Sequence, residues 1–173
     1  MDHIDYVQKL DEKFRQILQT SKISGEGFAW IRWNPDLGDV IQEVSVADIA
    51  TASNENKNPM EAIRQGDIEV VKKPPEMVLY QRAESWEKVD YCFVIELDWV
   101  EAIKLDYPEK ADQIREDADL RVFNYDKFDE ETLAGMCRKV YFYHKKTKYL
   151  PEGYEAVFTS SALLKSGPLS YGS

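Results

Sequence analysis

Apolar residues recur at intervals of three and four along the start of the chain: Ile4, Val7, Leu10, Phe14, Ile17 and Leu18. That is the period of an α-helix with one buried stripe. It predicts an amphipathic helix over 2–21, capped by Asp2 and broken by the two glycines of SGEG. GFAWIRW is rich in aromatic and branched residues and reads as a strand. NPDLGD then reads as a turn, and VIQEVSV, 40–46, as a second strand that makes a hairpin with the first. ADIATAS stays open between strand and helix. Asn58, Pro59 and Glu61 have the chemistry of a short helix start, and Gly66 of its end.

Beyond Gly66 the pattern alternates. DIEVVKK reads as a half-buried strand, Pro74-Pro75 as a corner, and EMVLYQRAE and DYCFVIELD as the next two strands. The second of these is apolar on both faces from Tyr91 to Ile95, which places it inside a sheet. Asp98 and Glu101 form a capping box for a further helix, and Pro108 ends it and starts another over 108–119. LRVFNYD is a strand, Asp129 caps a helix over EETLAGMCR, and KVYFYHKK and EAVFTSS close the sheet. The reading is α+β: a mixed or mainly antiparallel sheet of six to eight strands, with four or five helices. No repeat or linker divides 1–173, so one domain is expected, with the uncharged Gly/Ser-rich tail 166–173 mobile.

Composition narrows the class. A chain of 173 residues with 43% hydrophobic and 31% charged residues can bury a core and is not disordered in type. Its two cysteines, Cys92 and Cys137, lie among apolar residues and read as buried free thiols. The acidic start lacks the pattern of a signal peptide, and no apolar run approaches a membrane span. A soluble cytoplasmic protein is expected.

The distribution of charge changes the picture most. The net charge is −10. Residues 84–131 alone carry −10, residues 1–83 carry −4, and residues 132–173 carry +4. Within the acidic third, Glu109, Asp112, Glu116 and Asp119 are spaced three, four and three, along one face of the helix predicted over 108–119. Such a face either steers a basic partner or is a solvated surface. No D-x-D-x-D-G loop is present, so neither a metal nor a cofactor is expected. The opposite extreme is RKVYFYHKKTKY, 138–149. Lys145, Lys146 and Lys148 read there as charges that guard an edge strand. Stacking tyrosines beside lysines also suit single-stranded nucleic acid. The net charge and the missing RNP1 glycines make nucleic acid the weaker option.

Catalytic patterns are sparse. A Cys-His pair would need Cys92 or Cys137 beside His144. FTSSALL lacks a nucleophile elbow, and the lysines of DIEVVKK sit at the wrong alternation for a nuclease site. In WIRWN, Trp30 and Arg32 share one strand face and Trp33 lies on the other; these residue types are common in binding hot spots. The reading that results is a non-enzymatic, protein-binding protein: a small acidic inhibitor or adaptor, viral or bacterial, that masks a basic surface. Glu109, Asp112, Glu116, Asp119, Trp30, Arg32 and Trp33 are its expected contacts. Two alternatives stand beside it. One is a structural subunit, for example of a virus particle, with self-association. The other is an enzyme whose pocket gathers Arg82, Glu84, Glu96 and Asp98.

Overall fold

The computed structural model describes residues 9–35, 37–42, 63–117 and 135–169. The chain divides into two compact units, Met1–Lys73 and Pro74–Ser173.

The first unit begins with helix α1 (Leu10–Ser24), closed by Gly25, whose N–H donates to Ser21 O. Of the predicted stripe, Ile17 is buried, while Phe14 and Leu18 stay about half exposed. Ile4, Val7 and the expected cap Asp2 lie outside the described residues. Strand β1 (Phe28–Asn34) follows, as its aromatic and branched residues predict. Its partner differs from expectation. β2 (Val40–Gln42) pairs with β3 (Ile63–Arg64), and β1 pairs with β4 (Asp67–Lys73). The β1–β4 ladder is antiparallel and runs through seven consecutive pairs, from Phe28↔Lys73 to Asn34↔Asp67. The alternating DIEVVKK thus supplies a longer partner than the segment after the turn. The short helix ended by Gly66 is replaced, at Ile63–Arg64, by strand pairing; its expected start lies outside the described residues. Gly66 has another duty: its φ is 77°, and a Cβ there would lie 2.7 Å from Cε2 of Trp33. Only glycine meets both demands without strain.

The second unit is built on one five-stranded antiparallel sheet in the order β5-β6-β7-β8-β9. These strands are β5 (Val78–Tyr80), β6 (Tyr91–Trp99), β7 (Met136–His144), β8 (Tyr154–Phe158) and β9 (Leu163–Gly167). β6 is an interior strand, as its two apolar faces require. β7 is the middle strand and Lys145, Lys146 and Lys148 follow its end, so they do not guard an edge of it. β6 and β7 pair through nine residues without a register shift, from Tyr91↔His144 to Trp99↔Met136. Helix α2 (Val100–Asp106) leaves the end of β6, and a 3-10 helix (Pro108–Gln113) follows. Val100, Ile103 and Ile114 from this segment meet Cys137, Val157, Ala162 and Leu164 in the core, with Tyr107 and Tyr141 packed against it.

The α+β class and the antiparallel pairing agree with the sequence; several elements do not. The described residues form nine strands in sheets of two, two and five, with two α-helices and three 3-10 helices. This is fewer helices than the pattern predicts. The helix expected through Met136–Arg138 is the start of β7, because nine-residue pairing with β6 outweighs local preference. The predicted strand 120–126 and Asp129 lie outside the described residues. Asp98 does not cap α2; Trp99 holds that position, and no side chain caps the helix. The tail is ordered as β9 as far as Gly167.

Ile103 is fully buried at the centre of the core. Ile103→Ala is expected to cost about 3 kcal/mol in unfolding free energy. The surface change Leu105→Ala, on the same helix but 81% exposed, should stay within about 0.5 kcal/mol. Urea unfolding followed by circular dichroism checks both.

A charge-paired sheet and the cavity beside Trp99

The two oppositely charged parts of the sequence meet in the second unit. Lys139, in the middle of β7, is buried. Its Nζ lies 2.9 Å from Asp98 Oδ2 and 3.6 Å from Asp106 Oδ2. Burial works against the ammonium charge, but the hydrogen bond to Asp98 and the nearby Tyr141 and Asp106 raise the Lys139 pKa above its ordinary value. Arg138, next along the strand, places Nε 2.5 Å from Asp117 Oδ2, and its backbone N–H donates to the same oxygen. The Asp117 side chain is 1% exposed. Burial pushes its carboxyl up, yet the Ser160 hydroxyl and Arg138 prevail and hold it below the usual range. At the far end of β7, Lys145 pairs with Asp90 at 3.2 Å and donates to Glu87 O. The basic, aromatic segment of an acidic protein is therefore its internal counter-charge.

The expected contact residues fall in both units: Trp30, Arg32 and Trp33 in the first, and the acidic residues in the second. Glu109 and Asp112 are exposed on the 3-10 helix. With three residues per turn they eclipse each other. The helix ends at Gln113, so Glu116 is not on it; its Oε2 accepts the N–H of Gly135 at 3.1 Å. Asp119 lies outside the described residues. Glu109, Asp112 and Glu116 therefore do not lie on one helix. In the first unit Trp30 is buried, with Arg32 and Lys73 each 4.7 Å from its ring centroid. Arg32 is held by Glu69 at 2.8 Å, and Asn34 donates to the same carboxylate. Burial raises the Glu69 pKa, but these two hydrogen bonds outweigh it and the group sits below its ordinary value. Trp33, on the other face of β1, is 53% exposed.

A cavity of about 430 Å³ at the end of β6 has no counterpart in the sequence pattern. It is lined by Trp99, Val100, Glu101, Lys104, Ile114, Arg115, Glu116 and Gly135. Trp99 is the last residue of β6 and is 54% exposed. Its ring lies over Gly135, where a Cβ would be 3.7 Å from the ring and φ is 78°. Ile114 is buried beneath. Glu101 is paired with Lys104 at 2.8 Å. The Arg115 backbone is fixed by a hydrogen bond from its N–H to Ser161 Oγ.

The Cys-His arrangement is not brought together. Cys92 lies opposite Tyr143 and His144 opposite Tyr91, so the thiol and the imidazole are on opposite faces of the sheet. Cys137 is fully buried, and burial followed by the nearby Asp117 and Asp98 charges pushes its thiol up to about 11. Cys92 is only half-buried, in a cavity of about 340 Å³ with Trp86, Tyr143 and Lys145, and burial raises its pKa too. Arg82, Glu84, Glu96 and Asp98 line neither cavity.

The sheet face away from α2 has its own character. The register places Leu79, Tyr91, Phe93, Ile95 and Leu97 there, with Arg138, Val140, Phe142 and His144 from β7 and Tyr154, Ala156 and Phe158 from β8. The paired positions on this face include no Asp or Glu. Phe93 and Phe142 stand 4.9 Å apart, and Tyr91 stacks on His144 at 6.2 Å. No helix among the described residues is long and apolar enough to cross a membrane. No protein-family model matches the chain, and no curated protein is significantly similar to it.

Asp117→Asn keeps the shape of the side chain and removes the charge that Arg138 faces. The expected cost is about 3 kcal/mol at pH 7. A carboxyl with a lowered pKa stabilises the fold fully above the unfolded value, near 4, and loses that contribution as pH falls through the folded value. The gap between wild type and variant should therefore narrow below about pH 4. Unfolding curves at pH 7, 5 and 3 measure it.

Proposed function

We propose that the protein works by binding another protein, without chemistry of its own, and that the partner brings a basic surface to the end of the second unit formed by α2 and the 3-10 helix. One contrast carries this reading. Asp90, Asp98, Asp106 and Asp117 are matched to lysine or arginine within the fold. Glu109 and Asp112 are exposed, and neither has an ion-pair or hydrogen-bond partner among the described residues. Leu105, 81% exposed on α2, adds apolar area close by in sequence. Charge without an internal partner, beside exposed apolar area, suits an acidic inhibitor or adaptor that docks on a basic site. Exposed carboxylates of this kind act mainly on the rate of encounter.

A second reading, a subunit of a larger assembly, is favoured by the sheet face that carries no carboxylate. Leu79 on that face is more than half exposed, as is Leu163, which pairs with Phe158. They stand on the two edge strands of the sheet, while Ile95 and Ala156 on the same face are buried; exposed apolar residues at sheet edges suit pairing with another copy.

Glu109→Gln with Asp112→Asn tests the first reading. Partners captured from the source cell at low salt are identified by mass, and association with the purified partner is followed by stopped flow. The double variant should associate severalfold more slowly, with a weaker dependence on salt and an unchanged melting temperature. Equal rates for wild type and variant would overturn the acidic-edge reading. Sedimentation velocity on the purified chain weighs the second: reversible self-association with rising concentration supports the assembly subunit, and a monomer throughout opposes it.

A further inference from the structure

We propose that the cavity beside Trp99 is a ligand site for an apolar group that carries a carboxylate. It is separate in residues from the Glu109–Asp112 edge, and its ligand has the opposite charge to the partner proposed there.

The cavity has an apolar floor and side: Ile114 is buried, Val100 is nearly so, and the indole of Trp99 stands half exposed along it. Its volume of about 430 Å³ falls in the range of small-molecule pockets, about 300–1,000 Å³. The charges at the rim then decide the ligand. Glu101 is paired with Lys104, and Glu116 keeps its charge but has one oxygen held by the N–H of Gly135. Arg115 differs from both. Its backbone is anchored on Ser161, while its guanidinium has no ion-pair or hydrogen-bond partner among the described residues. A guanidinium without a partner, on a residue that lines an apolar cavity, suits a carboxylate, which it can bind through two parallel N–H donors. The aromatic wall favours a planar or branched apolar body against the indole. The same chemistry is offered by a small free acid and by the last residue of a peptide, whose terminal carboxylate follows its side chain.

The indole N–H of Trp99, assigned by comparison with Trp99→Phe, reports occupancy in a two-dimensional NMR titration of the full chain. Four probes are used: phenylacetate, phenylacetamide, N-acetyl-Gly-Phe and its C-terminal amide. The two carboxylates should shift the Trp99 resonance saturably, and the amides should bind about fivefold more weakly. Arg115→Gln should bring the carboxylates down to the level of the amides, while Lys148→Gln leaves them unchanged. The variant spectra also show that each protein is folded. Tighter binding of phenylacetate names a free acid as the source; tighter binding of the dipeptide names a chain terminus. Equal binding of acids and amides, indifference to Arg115→Gln, or no saturable shift at millimolar probe would each overturn the proposal. These outcomes do not bear on the Glu109–Asp112 edge, whose variants leave this cavity intact.

Discussion

The second unit depends on a lysine placed where an acidic chain would not be expected to put one. Lys139 sits in the middle strand of the sheet, on the face covered by α2, and its amine is out of water. A buried ammonium is tolerated only with counter-charge at hand. Asp98 supplies it from β6 and Asp106 from the end of α2. The same amine therefore ties β7, β6 and α2 together. Asp98 is drawn into this cluster: Oδ2 accepts from Lys139 and Oδ1 from the Trp99 N–H. That is why it does not cap the helix, although its sequence context suits a cap. Arg138 and Asp117 repeat the arrangement one residue away, fastening the chain that returns from the 3-10 helix. Charges that look segregated along the sequence are complementary in space.

That internal matching also separates structural charge from charge left for other work. In a chain with ten excess acids, the groups the fold has not used are the ones the proposed partner site draws on. On this criterion the acidic edge at Glu109 and Asp112 and the cation at Arg115 stand apart from the acids along β6 and the bases along β7. The apolar surfaces sort in the same way. The face of the sheet under α2 holds buried ions and is covered by its own helix. The other face holds aromatic side chains without a carboxylate among its paired positions.

Much of the architecture was legible in the sequence. The strands at Phe28–Asn34, Asp67–Lys73 and Tyr91–Trp99 announce themselves by alternation or by apolar runs, and the two-faced apolar run correctly places β6 in the sheet interior. Partners were less legible. β1 and β2 are adjacent and carry turn chemistry between them, yet β1 pairs with the distant β4, because ladder length and packing decide pairing and neither is local. Met136 to Arg138 read as helix because the competing partner, β6, is also distant in sequence. The acidic spacing was read on an α-helix, whereas Glu109 and Asp112 lie on a 3-10 helix that stops at Gln113, before Glu116. The Trp99 cavity left no sequence signal, since its walls come from the end of a strand, a helix, an extended segment and a glycine.

The nine-pair ladder between β6 and β7 closes the stretch of chain from Val100 to Gly135. Closing a loop of that length carries an entropic cost that grows with the logarithm of its size, and none of the ladder's reward arrives until the ends meet. Once diffusion brings the ends within a Debye length, about 8 Å at physiological salt, the acids of β6 attract Arg138 and Lys139 of β7. That attraction is expected to bias the last step of the search for register. Added salt weakens that bias, so a surface-like electrostatic effect enters the folding rate of what becomes the interior of the molecule.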